Sequence, residues 1–88
     1  MTFRYGLSAR AEAYLSRLEP ETRRRVAARL DQLAQDPFDP RLSKPLTNLG
    51  GLRSSRIGAL RIIFRVMTAE QTFRVETIAP RGQVYRDL

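Results

Sequence analysis

The chain has 88 residues, carries sixteen Lys and Arg against nine Asp and Glu for a net charge of +7, and contains neither cysteine nor histidine. That length supports one compact domain over residues 1–88 with no room for a separate cofactor domain, and its stability is modest without a disulfide. The missing residue types exclude a thiol nucleophile, an imidazole base and the usual soft metal ligands, and with them Ser-His or Cys-His catalysis and zinc chemistry; no metal and no cofactor is expected.

Phe3 to Leu7 is short and β-prone, and Ser8 can cap a helix whose apolar residues Ala11, Tyr14, Leu15 and Leu18 recur at helical spacing. Pro20 suits the first turn of a second helix, where its missing N–H costs nothing, and Val26, Leu30, Leu33, Ala27 and Ala34 form one apolar stripe. Arg23, Arg24, Arg25 and Arg29 crowd the remainder of that helix and are read as a solvated face. Asp36-Pro37 and Asp39-Pro40 stop the helix, because a residue before proline is pushed out of the α region, and Arg41 to Gly51 then reads as a loop.

Beyond the loop the period changes to two. Leu52 to Ile57 is one strand, turned by Gly58-Ala59 into a second in which Leu60, Ile62, Phe64 and Val66 alternate with Arg61, Ile63 and Arg65. After Met67 to Thr72, a third strand sets Phe73, Val75, Thr77 and Ala79 against Arg74, Glu76 and Ile78. The expected architecture is α+β: an N-terminal strand, a helix hairpin, then an antiparallel β-meander packed on the helices, with Arg61 and Arg65 on the face away from the core. No apolar run reaches membrane-spanning length and Met1 to Leu7 lacks the apolar region of a signal peptide, so a soluble cytoplasmic protein with no membrane partner is expected.

Lys44 is the only lysine, so arginine supplies the rest of the positive charge. A guanidinium is planar, permanently charged and able to hold two phosphate oxygens at once, which points to nucleic acid, a ribosome or an acidic protein chain. GC-rich coding is the alternative source of the same bias.

Lys44-Pro45-Leu46, Gly51-Leu52-Arg53, the run Arg56-Ile57-Gly58-Ala59-Leu60-Arg61-Ile62-Ile63-Phe64 and the closing Ala79-Pro80-Arg81-Gly82-Gln83-Val84-Tyr85-Arg86 occur in that order behind two helices. With these segments the chain resembles the RelE/ParE family of toxins from bacterial type II toxin–antitoxin pairs. RelE-like members cut messenger RNA in the ribosomal A site, while ParE-like members share the fold and poison DNA gyrase without cutting nucleic acid. Arg81 followed by Val84-Tyr85 resembles the RelE branch, which implies a ribosome-dependent endoribonuclease that inhibits translation. A gyrase inhibitor is the alternative, and a binding-only basic module a third.

Metal-free RNA cleavage attacks the scissile phosphate with the neighbouring 2′-OH, so the site must take up that proton, stabilise charge on the phosphate and shield the departing 5′-oxygen. By the resemblance, Arg61 stabilises the phosphate, Arg81 contacts it or helps the leaving group, and Tyr85 stacks on or orients the nucleotide. Lys44 and Arg56 provide electrostatic support or proton abstraction, and Arg53, Arg65 and Arg86 bind RNA phosphates. Two basic residues usually alternate on the strand before the turn, but here that segment reads Arg53-Ser54-Ser55-Arg56, and an arginine is a poor base at neutral pH. The resemblance also implies a cognate antitoxin with an acidic or amphipathic segment, the ribosome and messenger RNA as partners, and operator DNA bound only through the antitoxin.

Overall fold

The structure, a computed structural model, describes residues 2–47 and 50–80. Its elements in chain order are β1 (Arg4–Leu7), α1 (Ala9–Ser16), α2 (Pro20–Gln35), β2 (Lys44–Pro45), β3 (Leu52–Ile57), β4 (Leu60–Met67), a 3-10 turn (Thr68–Glu70) and β5 (Thr72–Pro80). The strands form one sheet in the order β1-β5-β4-β3-β2, in which only β1 and β5 run parallel. Two helices against one face of this sheet make the fold α+β.

Each helix begins where its first residues provide a start. The Ser8 hydroxyl accepts from the Ala11 N–H at 3.1 Å, satisfying one of the orphan donors of α1. α2 opens with Pro20 in its first turn, and Arg23 donates from Nη1 to the carbonyls of Ser16 and Leu18, closing the end of α1. The apolar stripe of α2, Val26, Leu30, Leu33 and Ala34, packs with Ala11 against Ile62, Phe64, Phe73, Val75 and Ile78 of the sheet. Phe64 and Phe73 meet at 5.3 Å between ring centres in that core. Among the described residues, no helix is long and apolar enough to cross a membrane.

Two sequence expectations change. Lys44–Pro45, read as loop, is a short edge strand pairing Lys44 with Ser54 and Pro45 with Arg53. The row expected from Phe73 through Val75, Thr77 and Ala79 is also broken. β5 pairs Phe64 with Val75 but Ile63 with Thr77, so Glu76 is an extra residue in a bulge. Past the bulge the alternation flips: Ile78 joins Phe73 and Val75 in the main core, and Ala79 turns to the other face with Leu52 and Ile63. Ser8 accounts for the bulge, since its hydroxyl donates to the Glu76 carbonyl at 2.7 Å while its N–H donates to the Val75 carbonyl.

Candidate functional site

Register decides which side chains share the face away from the helices, because directly paired residues project to the same side. Three cross-strand rows result. Arg56 pairs with Arg61 and Arg61 with Ala79; Lys44 pairs with Ser54, Ser54 with Ile63 and Ile63 with Thr77; Leu52 pairs with Arg65 and Arg65 with Arg74. Ser54, Ile63, Thr77 and Ala79 are buried and make the floor, while Lys44, Arg56, Arg65 and Arg74 are exposed around it. Arg56 faces Arg61, and Arg65 faces Arg74. Like charges placed opposite one another on neighbouring strands, with Cβ atoms about 4.5–5.5 Å apart, oppose folding, and a bound polyanion would reverse the sign of that contribution.

The first two rows open onto a cavity. β2 is only two residues long, so β3 has no β2 partner from Ser55 onward. Segment 40–44 runs beside that edge, and the space between holds an open cavity of ≈ 280 Å³ lined by Arg29, Pro40, Arg41, Leu42, Ser43, Lys44, Ser54, Arg56 and Arg61. Five of these nine residues are cations and none is a carboxylate. The Arg41 guanidinium holds both Asp39 carboxylate oxygens, at 3.1 and 2.8 Å, which keeps the Asp39 carboxyl below its usual range and compensates the Arg41 charge locally. Such a cavity suits a phosphodiester: guanidinium- and ammonium-bearing residues surround it, with Ser43 and Ser54 among the lining residues.

The structure brings Lys44, Arg56 and Arg61 together in this cavity. It places Arg65 on the same face one row further along, with Nη1 donating to the Gly50 carbonyl at 3.1 Å. Arg53 is elsewhere. It pairs with Phe64, on the helix side of the sheet, where Nε donates to the Ser43 hydroxyl at 3.0 Å, Nη2 donates to the Ser43 carbonyl at 3.3 Å, and the guanidinium carbon lies 5.2 Å from the Phe38 ring centre. Arg81, Tyr85 and Arg86 lie outside the described residues.

Two arginines escaped the sequence reading. Arg74 was legible, since it sits in the outward phase of an alternating strand beside Arg65. Arg29 was not: grouped with the solvated face of α2, it is half-buried and reaches the sheet, donating to the Ser55 hydroxyl at 2.9 Å and the Arg56 carbonyl at 2.8 Å. Nothing in a helical repeat marks a surface arginine that meets a strand with an open edge.

A family model for the ParE toxin of the type II toxin–antitoxin system parDE matches residues 5–85. The chain belongs to this toxin family, within the RelE/ParE superfamily. The toxin fold also recurs in solved structures. A chain of the toxin–antitoxin complex RelBE2 from Mycobacterium tuberculosis is similar at 24% identity and a TM-score of 0.81, over 92% of this chain and 100% of that one. The archaeal RelE–RelB complex from Pyrococcus horikoshii OT3 contains a chain similar at 24% identity and a TM-score of 0.80, over 96% and 100%. The isolated RelE toxin of E. coli matches at 14% identity and a TM-score of 0.77, over 98% and 99%. At these identities the likeness is one of fold. No curated protein matches the chain in sequence.

Proposed function

We propose that this toxin is a ribosome-dependent endoribonuclease that cleaves messenger RNA in the ribosomal A site by metal-free attack of the 2′-OH, inhibiting translation. The observation that carries the reading is the cavity in which Lys44, Arg56 and Arg61 converge beside a buried, largely uncharged floor, with no carboxylate among its described lining residues. A phosphorane-like transition state gathers negative charge on the non-bridging oxygens, and fixed guanidinium donors stabilise it without any proton shuffling. Arg61 supplies that stabilisation and Arg56, paired opposite it, adds to the field. Among the cavity's described cations Lys44 is the amine and the others are guanidiniums, which do not exchange protons as bases, so Lys44 is assigned the 2′-OH proton. Ribosomal orientation of the RNA would supply much of the acceleration.

Arg81 and Tyr85 complete the proposed site as leaving-group and base-stacking residues. Arg81 is the next residue in the chain after Pro80, and β5 pairs Ala79 with Arg61 and Pro80 with Leu60. The partner is an antitoxin whose acidic or amphipathic segment covers part of this surface, as a RelB antitoxin accompanies several of the similar toxins. The toxin–antitoxin pair reaches operator DNA through the antitoxin.

The test is primer extension on a reporter messenger in a reconstituted translation system, with wild type, Arg61→Ala, Lys44→Met and Tyr85→Phe. Cleavage inside codons that requires ribosomes and drops at least about a hundredfold in Arg61→Ala supports the reading, by the precedent for losing one oxyanion donor. Full-length messenger in every lane overturns it. A second reading, a non-catalytic gyrase inhibitor, is favoured by the family model itself, which describes a ParE toxin; it predicts loss of DNA supercoiling by gyrase with intact messenger.

A further inference from the structure

We propose that Arg29 forms a second phosphate subsite, which takes the phosphodiester adjacent to the one held by Arg61. This inference rests on the RNA-directed reading of the cavity and extends it from one phosphate to a short strand.

Three observations carry it. First, Arg29 is anchored by three hydrogen bonds: Nε donates to Gln32 Oε1 at 3.1 Å, and Nη1 donates to Ser55 Oγ and to the Arg56 carbonyl. Those bonds fix the plane of the guanidinium, while Nη2 makes no hydrogen bond to any described residue. A guanidinium held through Nε and Nη1, with the two Nη2 hydrogens left over, is a preorganised anion donor, since little side-chain entropy remains to be lost on binding. Second, Arg29 lines the same cavity as Lys44, Arg56 and Arg61. Third, it occupies a different place within it. Arg61 projects from β4, whereas Arg29 comes from α2 and grips β3 at its unpaired edge, on the far side of that strand. One phosphate gripped by Arg61 over the sheet face therefore leaves Arg29 to the next phosphate as the strand turns over the β3 edge.

Arg41 cannot take this role in the same way, because Asp39 already holds its fork. Arg25, four residues before Arg29, lies beside the Gly58 turn and would extend the path toward α2.

The experiment measures binding of free toxin to a hexanucleotide RNA methylated at every 2′-oxygen, so that cleavage cannot intervene. The proteins are wild type, Arg29→Gln, Arg29→Lys, Arg61→Ala and Ser55→Ala, each first shown to be folded by thermal melting. Each internal phosphate is replaced in turn by an uncharged methylphosphonate. Loss of a charge-assisted bond in Arg29→Gln should weaken binding about tenfold and lower the slope of log K against log salt by about 0.7. Arg29→Lys should keep the slope while losing part of the affinity, and Ser55→Ala, which loosens the anchor without removing charge, should keep the slope. One methylphosphonate position should weaken wild type yet leave Arg29→Gln indifferent, and it should neighbour the position to which Arg61→Ala is indifferent.

The proposal is overturned if Arg29→Gln and Arg61→Ala respond to the same single position, if no position couples to Arg29, or if the toxin does not bind the oligonucleotide. Binding with this coupling alongside intact messenger in the translation assay would remove the nuclease reading and leave the subsite standing.

Discussion

Replacing Arg53 by Met should unfold the loop between α2 and β2 more readily and leave RNA binding almost unchanged. The guanidinium donates to the Ser43 hydroxyl at 3.0 Å and the Ser43 carbonyl at 3.3 Å, with a marginal third contact to the Phe38 carbonyl at 3.5 Å. Counting two hydrogen bonds from a charged donor at about 1.2 kcal/mol each, and about 0.5 kcal/mol for the cation over the Phe38 ring, gives roughly 3 kcal/mol; side-chain freedom regained in the variant returns about 1 kcal/mol. The net loss of about 2 kcal/mol corresponds to a melting temperature lower by roughly 8–16 °C for a domain of this size. Circular dichroism melts read this directly, and a salt series with the 2′-O-methyl hexanucleotide, run well below the melting transition, reads the binding. A melting temperature within about 2 °C of wild type, together with a salt slope reduced by about 0.7, would show that Arg53 contacts a phosphate and would refute the assignment from strand register.

The remaining predictions concern the core, the hairpin and the loop ion pair. Phe64 is fully buried between α2 and the sheet, so Phe64→Ala should cost about 3–5 kcal/mol and leave so small a domain mostly unfolded at 37 °C, visible as loss of the cooperative melt. Gly58 turns the Arg56–Arg61 hairpin at a φ of 58°, and Gly58→Ala should cost about 1–2 kcal/mol by the left-handed penalty, seen as a lower urea midpoint with an unchanged m-value. Hydrogen bonds from the Arg41 side chain and backbone N–H hold the Asp39 carboxyl below its usual range. The stabilising contribution of Asp39 is therefore complete above the ordinary value of about 3.9 and lost as pH falls through the lower folded value. An NMR titration of the Asp39 carboxyl should show its midpoint below the ordinary value, and Arg41→Ala should raise it part of the way back, since the backbone N–H at position 41 remains.

Much of the architecture was legible because local signals agreed with one another. Ser8 and Pro20 mark helix starts through backbone groups that need, or do not need, a partner, and the stripe of Val26, Leu30 and Leu33 follows from the helical period. The outward placement of Arg61 and Arg65 followed from alternation in an uninterrupted strand. The same counting failed in β5, where a bulge at Glu76 reverses the phase, because an inserted residue leaves no mark in composition. It also failed at Lys44–Pro45, since a strand of two residues is too short to have a period.

For the candidate site, the sequence by itself determined which groups are on offer: no histidine, no cysteine, one lysine side chain in Lys44, and arginine for the rest of the positive charge. Residue type sets charge and proton affinity wherever the chain goes. Only the tertiary structure decided who shares the cavity. It brought Arg29 across from a helix to the open edge of β3, turned Arg53 to the opposite face and set Arg56 against Arg61, because those neighbours are fixed by register and by packing between segments far apart in the chain.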